Sequence, residues 1–505
     1  MKVVLFGVVP LILLTAFASL SLVLKVSVWG FTPSKTSPEP SRKEGFSNET
    51  AIPTTTTTTN SSVSSPIVPR HRHRHPLQVT TAIDDPPLKH RRRRFWSDLE
   101  RLEGGLQRAR AAIQEAMNGS RLKDPDYSPD GPIYRNAKVF HRSYLEMEKQ
   151  FKVFIYKEGE VPLFHDGPCR MIYTIEGQFI NKMEMDHKFR THDPHHAHAF
   201  FLPYSVTRMR HFLPDLRSFG RIISDYVDVV AGKHPHWNRS HGADHFILAC
   251  HDWVNLTLSF AHFHPSYNVD SIERSLHEVY GMLYPGPYSS FYVPELVRNS
   301  IRALCNANTS ERFDPKKDVS IPEINLRSNK LSGLINGGLS SSKRSILAFF
   351  AGGNHGAIRP ILFEHWKRKD QDIQVFEYLP KGVSYNDLMR KSKYCLCPSG
   401  YEVASPRVVE SLYNGCVPVL ISKDYVQPFS DVLNWKMFSV MVSIEEIPNL
   451  KEILMRIPER QYQRMQKRVV QVTRHFELNS TPKRFDIFHM ILHSSWLRRL
   501  NVRIW

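Results

Sequence analysis

Cysteine is scarce in this chain: Cys169, Cys250, Cys305, Cys395, Cys397 and Cys416 are the only six in 505 residues. That is too few and too scattered for a disulfide-built scaffold. Cys395-Leu396-Cys397 has no second pair and no histidine at ligand spacing, which argues against a zinc site. In an oxidising compartment some of the six would pair, with connectivity left open. Acidic residues are also in deficit, 49 against 67 Lys and Arg, for a formal net charge of +18. The excess is concentrated in Arg70–His75 and Lys89–Arg94, outside any core-like pattern. Such runs are solvated tails. No interleaved aromatics and no RNA-binding signature accompany them, which argues against a nucleic-acid binder. An acidic glycan or anionic lipid headgroups are the partners such charge fits.

Val3 to Leu24 carries no charge between Lys2 and Lys25, matching the ~20 residues that span hydrocarbon as a helix. Ala16-Phe17-Ala18 fits a signal-peptide cleavage site, but apolar residues continue through Leu20, Leu22, Val23 and Leu24, which favours an uncleaved signal-anchor. Seven Asn-x-Ser/Thr sequons follow, at Asn48, Asn60, Asn118, Asn238, Asn255, Asn308 and Asn479, and point to a lumenal body. The expectation is a single-pass type II membrane protein. Residues 26–94 are rich in Pro, Ser and Thr, with six threonines from Thr54 to Thr59, and bury too little apolar area to offset chain entropy. They read as a stem. Leu99, Leu102, Leu106, Ala109, Ile113 and Ala116 then recur at helical spacing over 95–117. Such a stripe either docks on the body or dimerises the stem, as a homo- or hetero-dimer.

From Phe151–Tyr156 onward, β-rich segments alternate with helical ones, and a second series opens at Ser345–Phe350. The densest signal is 394–421. Tyr394–Cys397 reads as a strand broken by Pro398-Ser399-Gly400. Ser405 and Pro406 open a helix with Val408, Val409 and Leu412 on its buried face. Asn414-Gly415 ends that helix, and Cys416–Ile421 is a second strand. A helix start after a parallel strand is an anion site, and Arg407 in its first turn adds a cation. The bland alternative is an ordinary α/β unit with Arg407 in a salt bridge.

This segment resembles the donor-binding motif of the exostosin family, glycosyltransferase family 47, in its plant form. The resemblance extends to Arg190–Pro194 with Ala197–Pro203, to Trp237–Phe246 with Cys250–Trp253, to Ser300–Asn308 and to Leu347–Gly356. It implies a GT-B fold, α/β with two Rossmann-like domains facing a cleft, here preceded by the transmembrane helix and disordered stem. The expected organisation is a cytoplasmic tip and anchor at 1–25, a stem at 26–125, an acceptor domain at 126–340, a nucleotide-sugar domain at 341–480 and a terminal helix at 481–505. Residues 254–293 match nothing in the family pattern and read as a retained intron or an insertion.

What the resemblance implies is an inverting glycosyltransferase of the Golgi membrane. It would move a sugar from a UDP-sugar co-substrate to a cell-wall polysaccharide or glycoprotein glycan. The alternative is a non-catalytic member acting as a glycan-binding partner of an active enzyme. Arg407 and the helix start suit the diphosphate, with Ser399, Gly400 and Ser405 around them. Glu410 suits the ribose diol and Glu402 the sugar or ribose. Gly353, His355 and Arg359 follow an apolar strand and suit the phosphates. The general base is sought in the first domain, with Asp244, His245, Asp252 and Asp193 as candidates. Asp124-Pro125-Asp126 and Asp370-Gln371-Asp372 share letters with the metal motif of GT-A enzymes, but neither follows an apolar strand, so no metal and no cofactor is expected.

Overall fold

A computed structural model describes residues 88–213, 216–251, 293–327, 335 and 338–504. The anchor, most of the stem, Asn48, Asn60, Asp252, Asn255 and the unmatched 254–292 lie outside the described residues. Among those described, no helix is long and apolar enough to cross a membrane.

The chain opens with α1 (Leu88–Glu115), α2 (Ala137–Gln150) and β1 (Val153–Ile155), followed by α3 (Thr174–Met185), β2 (Arg190–Thr191) and β3 (Ala199–Phe201). Helices α4 (Val206–Phe212), α5 (Leu216–Lys233) and α6 (Pro235–Ser240) lead to β4 (His245–Ala249). Then α7 (Pro294–Arg298), β5 (Ile301–Leu304) and β6 (Val319–Ser320) complete a six-stranded parallel sheet of order β2-β1-β3-β4-β5-β6. The second sheet uses β7 (Ile346–Ala351), α8 (Ile358–Trp366), β8 (Ile373–Phe376), α9 (Tyr385–Lys391), β9 (Ser392–Pro398), α10 (Arg407–Tyr413), β10 (Val417–Ile421) and β11 (Val440–Met441). Its order is β11-β10-β9-β7-β8, again all parallel. Then follow α11 (Leu450–Met455), α12 (Glu459–Val472) and α13 (Ile487–Asn501).

Sequence explains why these segments are strands. A parallel strand covered on both faces reads as a continuous apolar run rather than an alternating one. His245–Ala249 and Val417–Ile421 are buried at every position. Both sheets wind outward from their first strand and then reverse, so each has one point where neighbouring connections run in opposite directions: β1/β3 in the first lobe, β7/β9 in the second. Val408, Val409 and Leu412 of α10 are nearly fully buried, each stabilising by about 1.5–3 kcal/mol.

The terminal helix α13 packs back on α2, β5 and β6 of the first lobe. Arg498 on it donates to the Asp318 carbonyl of the first lobe and pairs with Asp431 of the second at 2.9 Å. The apolar stripe of α1 is covered: Leu99, Leu102, Leu106 and Ala109 are buried. Arg110 donates to the Leu500 and Val502 carbonyls, and Glu103 pairs with Arg499. Docking on the body is what that stripe does. The helix start in the donor segment differs by one residue from expectation. The first helical residue is Arg407, and the Ser405 hydroxyl accepts its N–H at 3.4 Å.

Two disulfides, Cys250–Cys305 and Cys395–Cys416, tie neighbouring strands; Cys169 and Cys397 are free thiols. The two Asp-x-Asp sequences are held in ion pairs. Asp124 pairs with Arg484 at 2.9 Å, and Lys451 lies 2.7 and 2.8 Å from Asp370 and Asp372.

Candidate active site

Doubly wound sheets take ligands outside the C-terminal strand ends, at the point where the winding reverses. In the second lobe that point lies between β7 and β9. The loops leaving them, from Gly352 and from Gly400, line a cleft of ≈ 1370 Å³ whose other wall comes from the first lobe.

Two guanidinium groups meet at its floor. Arg407 donates from Nε and Nη2 to the Ala351 carbonyl at 3.2 and 2.9 Å, at the end of β7. Arg359 on α8 donates to the Gly353 carbonyl at 3.0 Å, and its Nε is buried without a hydrogen-bond partner. Both stand over the Phe350 ring, at 4.9 and 5.8 Å from its centroid. No carboxylate reaches ion-pair distance of either among the described residues. Burial, and then repulsion from Arg407, pushes Arg359 down to about 10 against the attraction of Glu323. Two partly desolvated like charges are costly, and a doubly negative ligand relieves both. Helix α10 has seven residues, so the guanidinium pair, more than the helix dipole, is the feature here that can hold an anion.

The glycines shape the cradle. A Cβ on Gly352 would sit 1.9 Å from Arg407 Nη2, and Gly356, at φ +72°, would place one 1.8 Å from the Gly400 carbonyl oxygen. Above the cradle, Glu410 accepts the Tyr385 hydroxyl at 2.9 Å. Burial and that carboxylate push the Tyr385 hydroxyl up, so it stays a donor and fixes the carboxylate. Glu402 accepts the Tyr173 hydroxyl at 2.9 Å, a bond that crosses the cleft between lobes. His355 packs against Tyr401 at 5.3 Å. Thus Gly353, His355, Arg359, Gly400, Glu402, Ser405, Arg407 and Glu410 are brought to one cleft. Ser399 stands behind it, its hydroxyl donating to the Val403 carbonyl at 3.0 Å.

The first-lobe candidates are placed elsewhere. Asp244 precedes β4, at the end of the sheet away from the cleft, and is fully buried. Its carboxylate accepts from Arg239, Ser240 and His245 at 2.8, 2.6 and 2.8 Å. Burial alone would raise this carboxyl, but the Arg239 cation and the His245 N–H hold it well below the usual range. His245 is equally buried and bonds Tyr156 at 2.8 Å. This is a structural knot with no path to an acceptor. Asp193 caps a turn, accepting from the His195 N–H and bonding His196, and does not line the cleft. Of the sequons, Asn118 and Asn238 are exposed and Asn479 is half-buried. Asn308 is buried, and its side chain accepts from the Ser310 N–H and hydroxyl, so a glycan there would require unfolding the turn.

What does stand on the first-lobe wall is Tyr173, Arg210, His211, His251, Glu323 and Arg327. Sequence reading passed over these as functional residues. Tyr173, Arg210 and Glu323 have no local signal at all. His251 had one, since it directly follows the apolar run of β4. A single buried carboxylate organises this wall. Glu176 Oε1 accepts the N–H groups of Cys250 and His251 at 2.8 and 3.1 Å, and Oε2 accepts the Ser205 hydroxyl and Thr207 N–H at 2.6 and 3.1 Å.

Two parallel α/β lobes around a cleft that opens at the second lobe's switch point make a GT-B-like fold. Residues 147–457 match the exostosin GT47 domain. A probable glycosyltransferase of Arabidopsis thaliana is 58% identical over 422 residues, covering 83% of this chain and 75% of the relative. A second from that plant is 50% identical over 422 residues, covering 81% and 83%. A probable glucuronosyltransferase of Oryza sativa subsp. japonica is 30% identical over 376 residues, covering 68% and 79%. The chain belongs to the exostosin GT47 family.

Proposed function

We propose that the protein is an inverting glycosyltransferase that uses a UDP-sugar to extend a cell-wall polysaccharide or glycoprotein glycan. In this reading it is anchored as a single-pass type II protein of the Golgi membrane with its body in the lumen. The observation that carries the reading is the Arg407–Arg359 pair over the Phe350 ring, without a carboxylate at ion-pair distance among the described residues, in the same cleft as the Glu410 carboxylate that accepts from Tyr385. The pair takes the diphosphate and stabilises it as leaving group, and Glu410 grips the ribose hydroxyls. Glu402, bridged to Tyr173, faces the sugar. None of these steps calls on a metal. Two disulfides suit an oxidising lumen, and the exposed sequons at Asn118 and Asn238 suit the same compartment.

The test is UDP release by the purified full chain from UDP-glucuronic acid, UDP-xylose, UDP-galactose and UDP-arabinose, with Arg407→Ala as control. UDP-glucuronic acid comes first, because rice relatives are named for that transfer and because Arg210 and Arg327 stand on the opposite wall. Turnover that Arg407→Ala abolishes supports the reading. UDP binding without release from any donor would restore the non-catalytic, glycan-binding alternative.

A further inference from the structure

We propose that His251 is the general base of the transfer, taking the proton from the attacking acceptor hydroxyl. The inference rests on the transferase reading above and names the group that reading leaves unassigned.

His251 follows the C-terminal end of β4, the end that faces the cleft, and lines the wall opposite Arg407 and Arg359. Its backbone is held on two sides. Glu176 takes its N–H, and the preceding Cys250 is bonded to Cys305 on the next strand. The imidazole lies against the Tyr173 ring at 4.7 Å between centroids, and the Tyr173 hydroxyl reaches across to Glu402 of the donor lobe. The ring therefore stands one side chain away from the donor loop.

Chemistry follows from that position. Nδ1 is buried without a hydrogen-bond partner, and no carboxylate pairs with the ring among the described residues. Burial, and then the Arg210 cation, pushes the imidazole down to about 4, so it is neutral and able to accept a proton. The groups around it are Arg210 from α4, Glu176 from α3, Tyr173 just before α3 and, through Tyr173, Glu402. A diphosphate on the arginine pair brings negative charge to the facing wall and raises the affinity of the ring for a proton when the donor is bound. Among the earlier candidates, Asp244 and His245 are sealed at the far end of the sheet.

The step balances. The acceptor oxygen forms a bond to the anomeric carbon as its proton passes to a ring nitrogen of His251. The anomeric carbon–oxygen bond to the diphosphate breaks, and its electron pair leaves with UDP. The imidazolium then returns the proton to solvent.

The experiment uses the full chain and whichever UDP-sugar of the four it turns over fastest. General-base loss predicts that His251→Ala lowers kcat by about 10²–10⁴-fold, with the UDP dissociation constant within about threefold of wild type. Added imidazole should recover part of the rate in His251→Ala and none in Arg407→Ala. Arg210→Gln, which removes the nearby cation, should move the acid limb of the kcat profile to higher pH. His251→Ala retaining more than about a tenth of kcat, a loss of UDP binding that matches the loss of rate, or an unmoved acid limb in Arg210→Gln would each overturn the assignment. A wild type inactive on every donor would instead sink the transferase reading, and this assignment with it.

Discussion

Replacing Gly352 by alanine keeps Arg407 in the chain but removes the space its guanidinium occupies. A methyl group there lies 1.9 Å from Nη2 and 2.8 Å from Cζ of Arg407, and 3.3 Å from the Phe350 ring. The guanidinium must swing away and give up both bonds to the Ala351 carbonyl. Folding should suffer little, because the displaced atoms are the end of a flexible side chain beside an open cleft. The alanine also stiffens the unfolded chain, worth about 0.4–1 kcal/mol. The loss falls on the ligand. A charge-assisted contact is worth about 1.5–3 kcal/mol, so UDP binding should weaken about tenfold to a hundredfold. Titration calorimetry of wild type, Gly352→Ala, Arg407→Ala and the double variant measures this. The double variant should bind no worse than Arg407→Ala by more than about 0.5 kcal/mol, since both changes remove one contact. Wild-type UDP affinity in Gly352→Ala, alongside a clear loss in Arg407→Ala, would refute the cradle geometry.

Gly356→Ala should act on stability instead. It combines a left-handed backbone with a methyl 1.8 Å from the Gly400 carbonyl oxygen, two backbone features that cannot step aside, and should cost more than about 2 kcal/mol in a denaturant melt. Stability should also fall as pH drops from 6.5 toward 4.5. Burial holds His198, His236 and His493 down to about 3 and His475 down to about 4. The unfolded chain takes up these protons from 6.5 downward while the folded one does not, so each histidine withdraws about 1 kcal/mol per pH unit in that window. Thermal melts at constant ionic strength between pH 7 and 4.5 read the slope; a flat profile would contradict the burial. Finally, Asn118→Gln and Asn238→Gln should each remove one glycan-sized mass step from protein purified from cell membranes, and Asn118→Gln should do so without lowering its melting temperature. Asn308→Gln should remove no mass and should destabilise.

Much of the second lobe was legible because its signals are local. Between Tyr394 and Ile421 a strand, a glycine turn, a helix and a second strand follow without interruption, and β9 and β10 pair in parallel from Tyr394 with Val417 to Pro398 with Ile421. Arg407 and Glu410 lie three positions apart on the first turn of one helix, so their convergence needs no tertiary information. Even here the structure corrected the emphasis. The helix is short, and what replaces its dipole is Arg359, brought in from α8 to share the Phe350 ring. The Tyr385 bond that orients Glu410 joins residues 25 apart in sequence, with nothing in either neighbourhood to announce it.

The first lobe shows the opposite case. Motif density pointed to Asp244 and His245, and density there reflects packing. A carboxylate, an arginine and two hydroxyl-bearing residues lock the start of a central strand. Sequence alone determined the succession of elements from Tyr394 to Ile421, because it depends on hydrophobic period, turn residues and contacts within one βαβ unit, and the family resemblance carried by its motifs gave the protein's class. Tertiary structure decided which first-lobe residues line the cleft. Asp244 precedes β4 and His251 follows it. A strand's two ends look alike as a string of apolar residues, but only one of them opens into the cleft, and the sheet's winding determines which.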